Sequence, residues 1–131
     1  MIFLVDHNLE GQALILFGAI AQQGWLDLVT IQFLTFVEVD LPINSNDRIV
    51  WRFAQEKGMI LLTANRRMKG KDSLEQVIRE ENTSISLPVI TISNPEQLVA
   101  NPNYRERCVE SLIEIVLDVE SYYGTRRIFI P

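Results

Sequence analysis

The run Ile2-Phe3-Leu4-Val5, ending at once in Asp6-His7-Asn8, constrains this chain most. Four consecutive apolar residues, two of them β-branched, read as a strand buried on both faces. Such strands belong to parallel sheets covered by helices on either side. A carboxylate directly after one stands at its carboxyl end, the edge where open α/β sheets bind ligands. A second run, Gly58-Met59-Ile60-Leu61-Leu62, ends in Thr63-Ala64-Asn65-Arg66. Two buried strands therefore deliver polar groups to one crevice.

The elements between these runs alternate. Leu9 to Gln23 carries apolar residues at helical spacing and stops at Gly24. Leu28–Phe33 reads as a second strand, and the stretch from Leu34 to Val39 either prolongs it or starts a short helix. Asn44-Ser45-Asn46-Asp47 is a group of cap formers before a helix that ends near Lys57-Gly58. Residues 59–62 form the third strand. A basic loop, 66–71, leads to a short helix over 72–79, in which Ser73 and Gln76 have capping-box spacing. Leu87–Ile92 is the fourth strand. Asn94-Pro95 starts a helical turn, Tyr104–Tyr122 a long amphipathic helix, and Arg127–Ile130 a last edge strand. No linker or repeat divides the chain. The reading is a single domain over 1–131, of class α/β: a three-layer α/β/α fold with a mainly parallel sheet of about five strands.

Composition narrows the function classes. A net charge of −5 gives no global attraction to nucleic acid or anionic membranes, so such binding would need a local basic patch or a bridging metal. The single cysteine, Cys108, permits no internal disulfide, fits a reducing cytoplasm, and falls on the apolar side of a helix as a packing residue. No segment reaches the roughly 20 apolar residues of a membrane span, and the opening residues do not read as a signal peptide. There is no Gly-rich phosphate loop, no Cys/His zinc pattern and no nucleophile elbow.

The polar residues suit metal-dependent phosphodiester cleavage, in which carboxylates hold Mg²⁺ or Mn²⁺ to activate water and neutralise phosphate. The candidate catalytic carboxylates are Asp6, Asp47, Asp72 and Glu75. Of these, Asp6, Asp47 and Asp72 are the candidate metal ligands. Glu75, three residues after Asp72, shares its helix face. Asn8, Thr63 and Asn65 offer neutral polar groups, and Arg66, Arg67 and Lys69 can hold a phosphate backbone. Each has a plainer alternative. Asp6, Asp47 and Asp72 stand where helix-capping carboxylates belong, Glu75 where a solvated first-turn acid does, and the basic run where a solvated loop offsets nearby carboxylates. His7 has no Ser or Cys nucleophile at recognisable spacing and reads as a loop residue.

Three blocks, Phe3-Leu4-Val5-Asp6, then Asn46-Asp47 with Ile49-Val50 and Ala54, then Gly58-Met59-Ile60-Leu61-Leu62-Thr63, resemble the PIN-like domains. The resemblance is to their small bacterial, toxin-like branch and covers roughly residues 1–70. It implies a parallel sheet with an acidic pocket at the strand ends, Mg²⁺- or Mn²⁺-dependent ribonuclease activity in active members, and homodimers. For many members it also implies an antitoxin protein as partner. Asp6 matches the first aspartate, Asp47 the acid opening the middle helix, and Thr63 the threonine after the third strand. The branch then shows Thr-x-Asp, a second Asp and an aromatic, where this chain has Asn65, Arg67 and Met68. Asp72 and Glu75 are the candidates to replace the lost charge. The alternative is a catalytically inactive PIN-like module that binds protein or RNA. A receiver-like phosphorylated domain ranks below both, because it needs an aspartate after the third strand.

Overall fold

Each strand-to-strand step crosses over the sheet, so every strand pair is parallel. The computed structural model describes residues 1–67 and 69–131. Along the chain these form β1 (Ile2–Val5), α1 (Glu10–Gln22), β2 (Gln32–Leu34), α2 (Asp47–Glu56) and β3 (Ile60–Thr63). They continue with α3 (Leu74–Glu81), β4 (Val89–Ile92), α4 (Pro95–Ala100), α5 (Pro102–Leu117) and β5 (Arg127–Ile130). The strand order is β2-β1-β3-β4-β5. The chain first moves from β1 to β2 and then reverses to lay β3 on the other side of β1. That reversal opens a crevice outside the carboxyl ends of β1 and β3.

Strand alternation sorts the core into two layers. Phe3, Val5, Ile60, Leu62, Ile90 and Ile92 face α1, α4 and α5. Leu4, Leu61 and Val89 face α2 and α3 through Val50, Trp51, Leu74 and Val77. The three layers and the five-stranded sheet are those expected from the sequence, and the sheet is parallel throughout. Cys108 is fully buried in the first layer, where burial pushes its thiol up to about 11 and keeps it neutral. Among the described residues no helix is long and apolar enough to cross a membrane.

Several boundaries differ from the sequence reading, each for a local reason. The second strand is Gln32–Leu34, not 28–33. Gly24, at φ 83°, starts a 3-10 turn over Trp25–Asp27, and the amides of Leu28 and Val29 both donate to the Trp25 carbonyl. Those donors are spent before the sheet ladder begins. The stretch after β2 resolves into a 3-10 turn over Val37–Val39. It starts with a reciprocal capping box: Glu38 N donates to Thr35 Oγ1 at 3.3 Å, and Thr35 N donates to Glu38 Oε1 at 3.0 Å. At the box anticipated on α3 only half forms. Ser73 Oγ accepts from Gln76 N at 3.2 Å, but the Gln76 side chain turns to Glu80. The long helix runs 102–117, starting from an Asn101 cap and breaking at Asp118 into a 3-10 turn over Val119–Tyr122.

Leu62 has no exposed surface and packs at the centre of the first layer. Leu62→Ala is expected to destabilise the fold by about 2–5 kcal/mol. The check is urea unfolding, with a lowered midpoint and an unchanged slope.

Candidate strand-end site

The crevice at the switch point is a cavity of about 440 Å³. The chain leaving β1 supplies Asp6, His7 and Asn8, the start of α2 supplies Asp47, and the chain leaving β3 supplies Asn65 and Arg67. The floor includes Val50 and Leu61. The β1–β3 register places Val5 opposite Leu62, and Asp6 N donates to Leu62 O at 2.9 Å. Asp6 and Thr63 are therefore neighbours before any side chain is considered.

A chain of hydrogen bonds spans the crevice. Thr63 Oγ1 donates to Asp6 Oδ2 at 2.6 Å and accepts from Asn65 N at 2.9 Å. Asn65 Nδ2 donates to Asp47 Oδ2 at 3.0 Å. The same Asp47 oxygen accepts from Leu74 N at 3.0 Å, so Asp47 meets the amino end of α3 and its positive dipole. Asn65 Oδ1 accepts from Arg67 N at 2.8 Å, which sets the amide orientation: the reverse would place two acceptors together at Asp47. Asn65 O accepts from Arg127 Nη1 at 2.6 Å. Asn65 is thus the hub of the site, and its NH₂ group does what a carboxylate at that position cannot do, donating to Asp47.

The capping alternatives divide. Asn46, not Asp47, caps α2, accepting from Ile49 N at 2.9 Å. Asp47 serves α3 instead. Asp6 makes no side-chain cap bond to the turn that follows it, and its carboxylate is held by Thr63.

Asp72 and Glu75 are held by arginines. Arg48 Nε donates to Asp72 Oδ1 at 2.8 Å, and the same guanidinium reaches Glu80 and Glu81. Asp72 lines a depression adjoining the crevice, together with Asp47, Arg67 and Lys69. Glu75 accepts from Arg127 Nε at 3.0 Å and borders a separate depression near β5. Among the described residues no three His, Cys, Asp or Glu side chains come together as a metal-binding group, so Asp6, Asp47 and Asp72 do not converge as one.

The remaining candidates also find places. Asn8 is exposed at the rim, and His7 Nδ1 lies 3.3 Å from Glu10 Oε1. Arg66 donates to the Ser93 carbonyl and faces the depression near β5, whereas Arg67 and Lys69 border the crevice side. Met68 lies outside the described residues. Sequence reasoning missed Arg48 and Arg127, the two cations that capture the extra carboxylates. The one signal available was a cation, Arg127, in an otherwise apolar strand.

The α2–α3 cluster predicts a pH dependence. Glu81 is held below the usual carboxylate range, first by the hydrogen bond from Arg52 and further by Arg48. Glu80 is lowered by Gln76 and then Arg48. Because the folded values are depressed, this stabilisation is complete above the ordinary glutamate value of about 4.3 and is lost as pH falls through the lower folded values. Arg52→Ala is expected to flatten that acid limb in unfolding titrations run from neutral to acid pH.

Asn65→Asp sets a carboxylate against Asp47. An expected loss of about 1–3 kcal/mol at neutral pH follows from the broken bond and the added repulsion. Mn²⁺ should restore part of it, which denaturant curves with and without the metal will show.

Compared with known proteins, the chain matches no family model, no curated protein and no solved structure.

Proposed function

We propose that this chain is a PIN-like nucleic-acid-binding module whose strand-end crevice takes a single-stranded RNA segment without a resident metal. The observation that carries the reading is the Asn65 amide, which donates to Asp47 at 3.0 Å and stands where the resembled branch has a carboxylate. With an amide in that place, and Asp72 and Glu75 engaged by Arg48 and Arg127, the crevice keeps two carboxylates, each satisfied at Oδ2 by the protein's own donors. Asp6 and Asp47 then act as acceptors for hydroxyl or amino groups of a nucleotide. Arg67 and Lys69 on the border supply the charge for its phosphates, which an acidic chain must concentrate locally.

A second reading, a Mg²⁺- or Mn²⁺-dependent ribonuclease, has one specific observation in its favour. Asp6 and Asp47 line the same cavity, and among the described residues no protein group donates to Oδ1 of either. Mg²⁺ is often held by one or two carboxylates, with water and substrate phosphate completing its shell. In that case Asp6 and Asp47 would hold the metal, which would supply activated water.

The test is RNA binding by fluorescence anisotropy across a salt series, in EDTA and in Mn²⁺. The module reading expects binding in EDTA with a slope of about −1.4 in log K against log salt for two phosphate contacts. Arg67→Ala and Lys69→Ala should each reduce that slope by about 0.7. Binding or cleavage that requires Mn²⁺ and disappears in Asp6→Asn favours the ribonuclease. No RNA binding in either condition refutes both.

A further inference from the structure

The crevice leaves one cationic cluster unused. Helices α2 and α3 cover the second sheet face only as far as β4. Beyond α3, on the strip formed by β5, lies a separate depression of about 390 Å³, bordered by Arg66, Glu75, Arg126, Arg127 and Phe129. Three arginines face one glutamate there, a local excess of positive charge in a chain of net charge −5. Phe129 is 50% exposed on this strip, whereas β3 and β4 are buried along their whole length.

Arg127 forms the wall. Its side chain is only 7% exposed. Nε donates to Glu75 at 3.0 Å, and Nη1 donates to Asn65 O at 2.6 Å and to Thr91 Oγ1 at 2.8 Å. Nη2 is buried, and no group among the described residues accepts from it. A buried donor on a charged group is costly to leave without an acceptor, and such donors in native proteins call for an explanation. The Arg127 guanidinium also lies 5.8 Å from the centroid of the Phe129 ring, so it is oriented from several sides. Arg66 and Arg126 are exposed and present their charge to solvent beside this fixed group. Arg126 keeps a left-handed backbone, φ 78°, that a residue with a Cβ adopts only at some cost.

We propose that this depression is a phosphate-binding subsite, distinct from the strand-end crevice and separated from it by the Asn65–Arg67 segment. A phosphate there meets the exposed guanidinium groups of Arg66 and Arg126 beside the fixed charge of Arg127. The exposed Phe129 ring offers an adjacent surface on which a base can stack. A free nucleotide and the end of an RNA strand both carry this chemistry. The subsite does not depend on the crevice binding RNA.

The experiment is calorimetric titration of the full chain with inorganic phosphate, a nucleoside 5′-monophosphate, and one oligoribonucleotide bearing either a 5′-phosphate or a 5′-hydroxyl. Phosphate binding weakened about tenfold or more by Arg126→Ala or Arg66→Ala, and retained in Arg67→Ala, is the expected result. Both affected residues are exposed and outside the core, and a urea unfolding curve checks that each variant folds; Arg127→Lys, which keeps the charge but loses the bonds that fix the wall, should weaken binding as well. A mononucleotide that binds as tightly as the 5′-phosphorylated strand identifies a free nucleotide as the source. A preference of about tenfold for the phosphorylated strand over both the mononucleotide and the 5′-hydroxyl strand identifies an RNA end. Absence of phosphate binding, or binding lost in Arg67→Ala but intact in Arg126→Ala and Arg66→Ala, overturns the proposal.

Discussion

The pairing of β1 with β3 is the constraint on which the rest depends. Both strands are buried on both faces, so their backbone groups can be satisfied only by neighbouring strands. The register that aligns Val5 with Leu62 brings the residues just after each strand together. Asp6 and Thr63 then share a 2.6 Å hydrogen bond at the edge of a hydrophobic core. A slip of one residue between them would turn one strand's side chains to the other layer, parting Asp6 from Thr63 and mismatching both packed faces.

Around that pair the charges are partitioned rather than pooled. Arg48 draws Asp72 toward α2 and the end of α3, and Arg127 draws Glu75 toward β5. Between them Asn65 and the amino end of α3 satisfy Asp47 with neutral donors. The result is a crevice holding two carboxylates and a peripheral arginine, not a compact set of acids. A neutral amide is a cheaper neighbour for a half-buried carboxylate than a second carboxylate, which would need a cation between the two.

The legible part of the fold was the part written in contiguous residues. The apolar runs at 2–5 and 59–62, the cap formers at 44–47 and the Pro95 and Gly24 boundaries all act over a few residues, and each element was found near its place. Misplaced boundaries lay where side chains or local amides compete with the ladder: the Trp25 carbonyl capturing two amides, and Thr35 and Glu38 capping each other. Ser73 and Gln76 have capping-box spacing, but spacing cannot reveal that the Gln76 side chain has a better partner one turn on.

The same division holds for the site. That Asp6, Asp47, Thr63 and Asn65 should meet was readable, because strand ends in a parallel sheet and the start of an intervening helix share one edge. Whether Asp72 and Glu75 would join them was not readable. Spacing reads them as one helix face, but α3 begins at Leu74 and leaves Asp72 before its Ser73 cap, and the partners that claim the two acids are 24 and 52 residues away in sequence. The sequence by itself determined the layers, the parallel sheet and which polar residues stand at its carboxyl edge, since those follow from burial and local backbone preference. Only the tertiary structure decided which carboxylate meets which cation, because charge pairing across distant segments is set by how the helices pack and not by any local pattern.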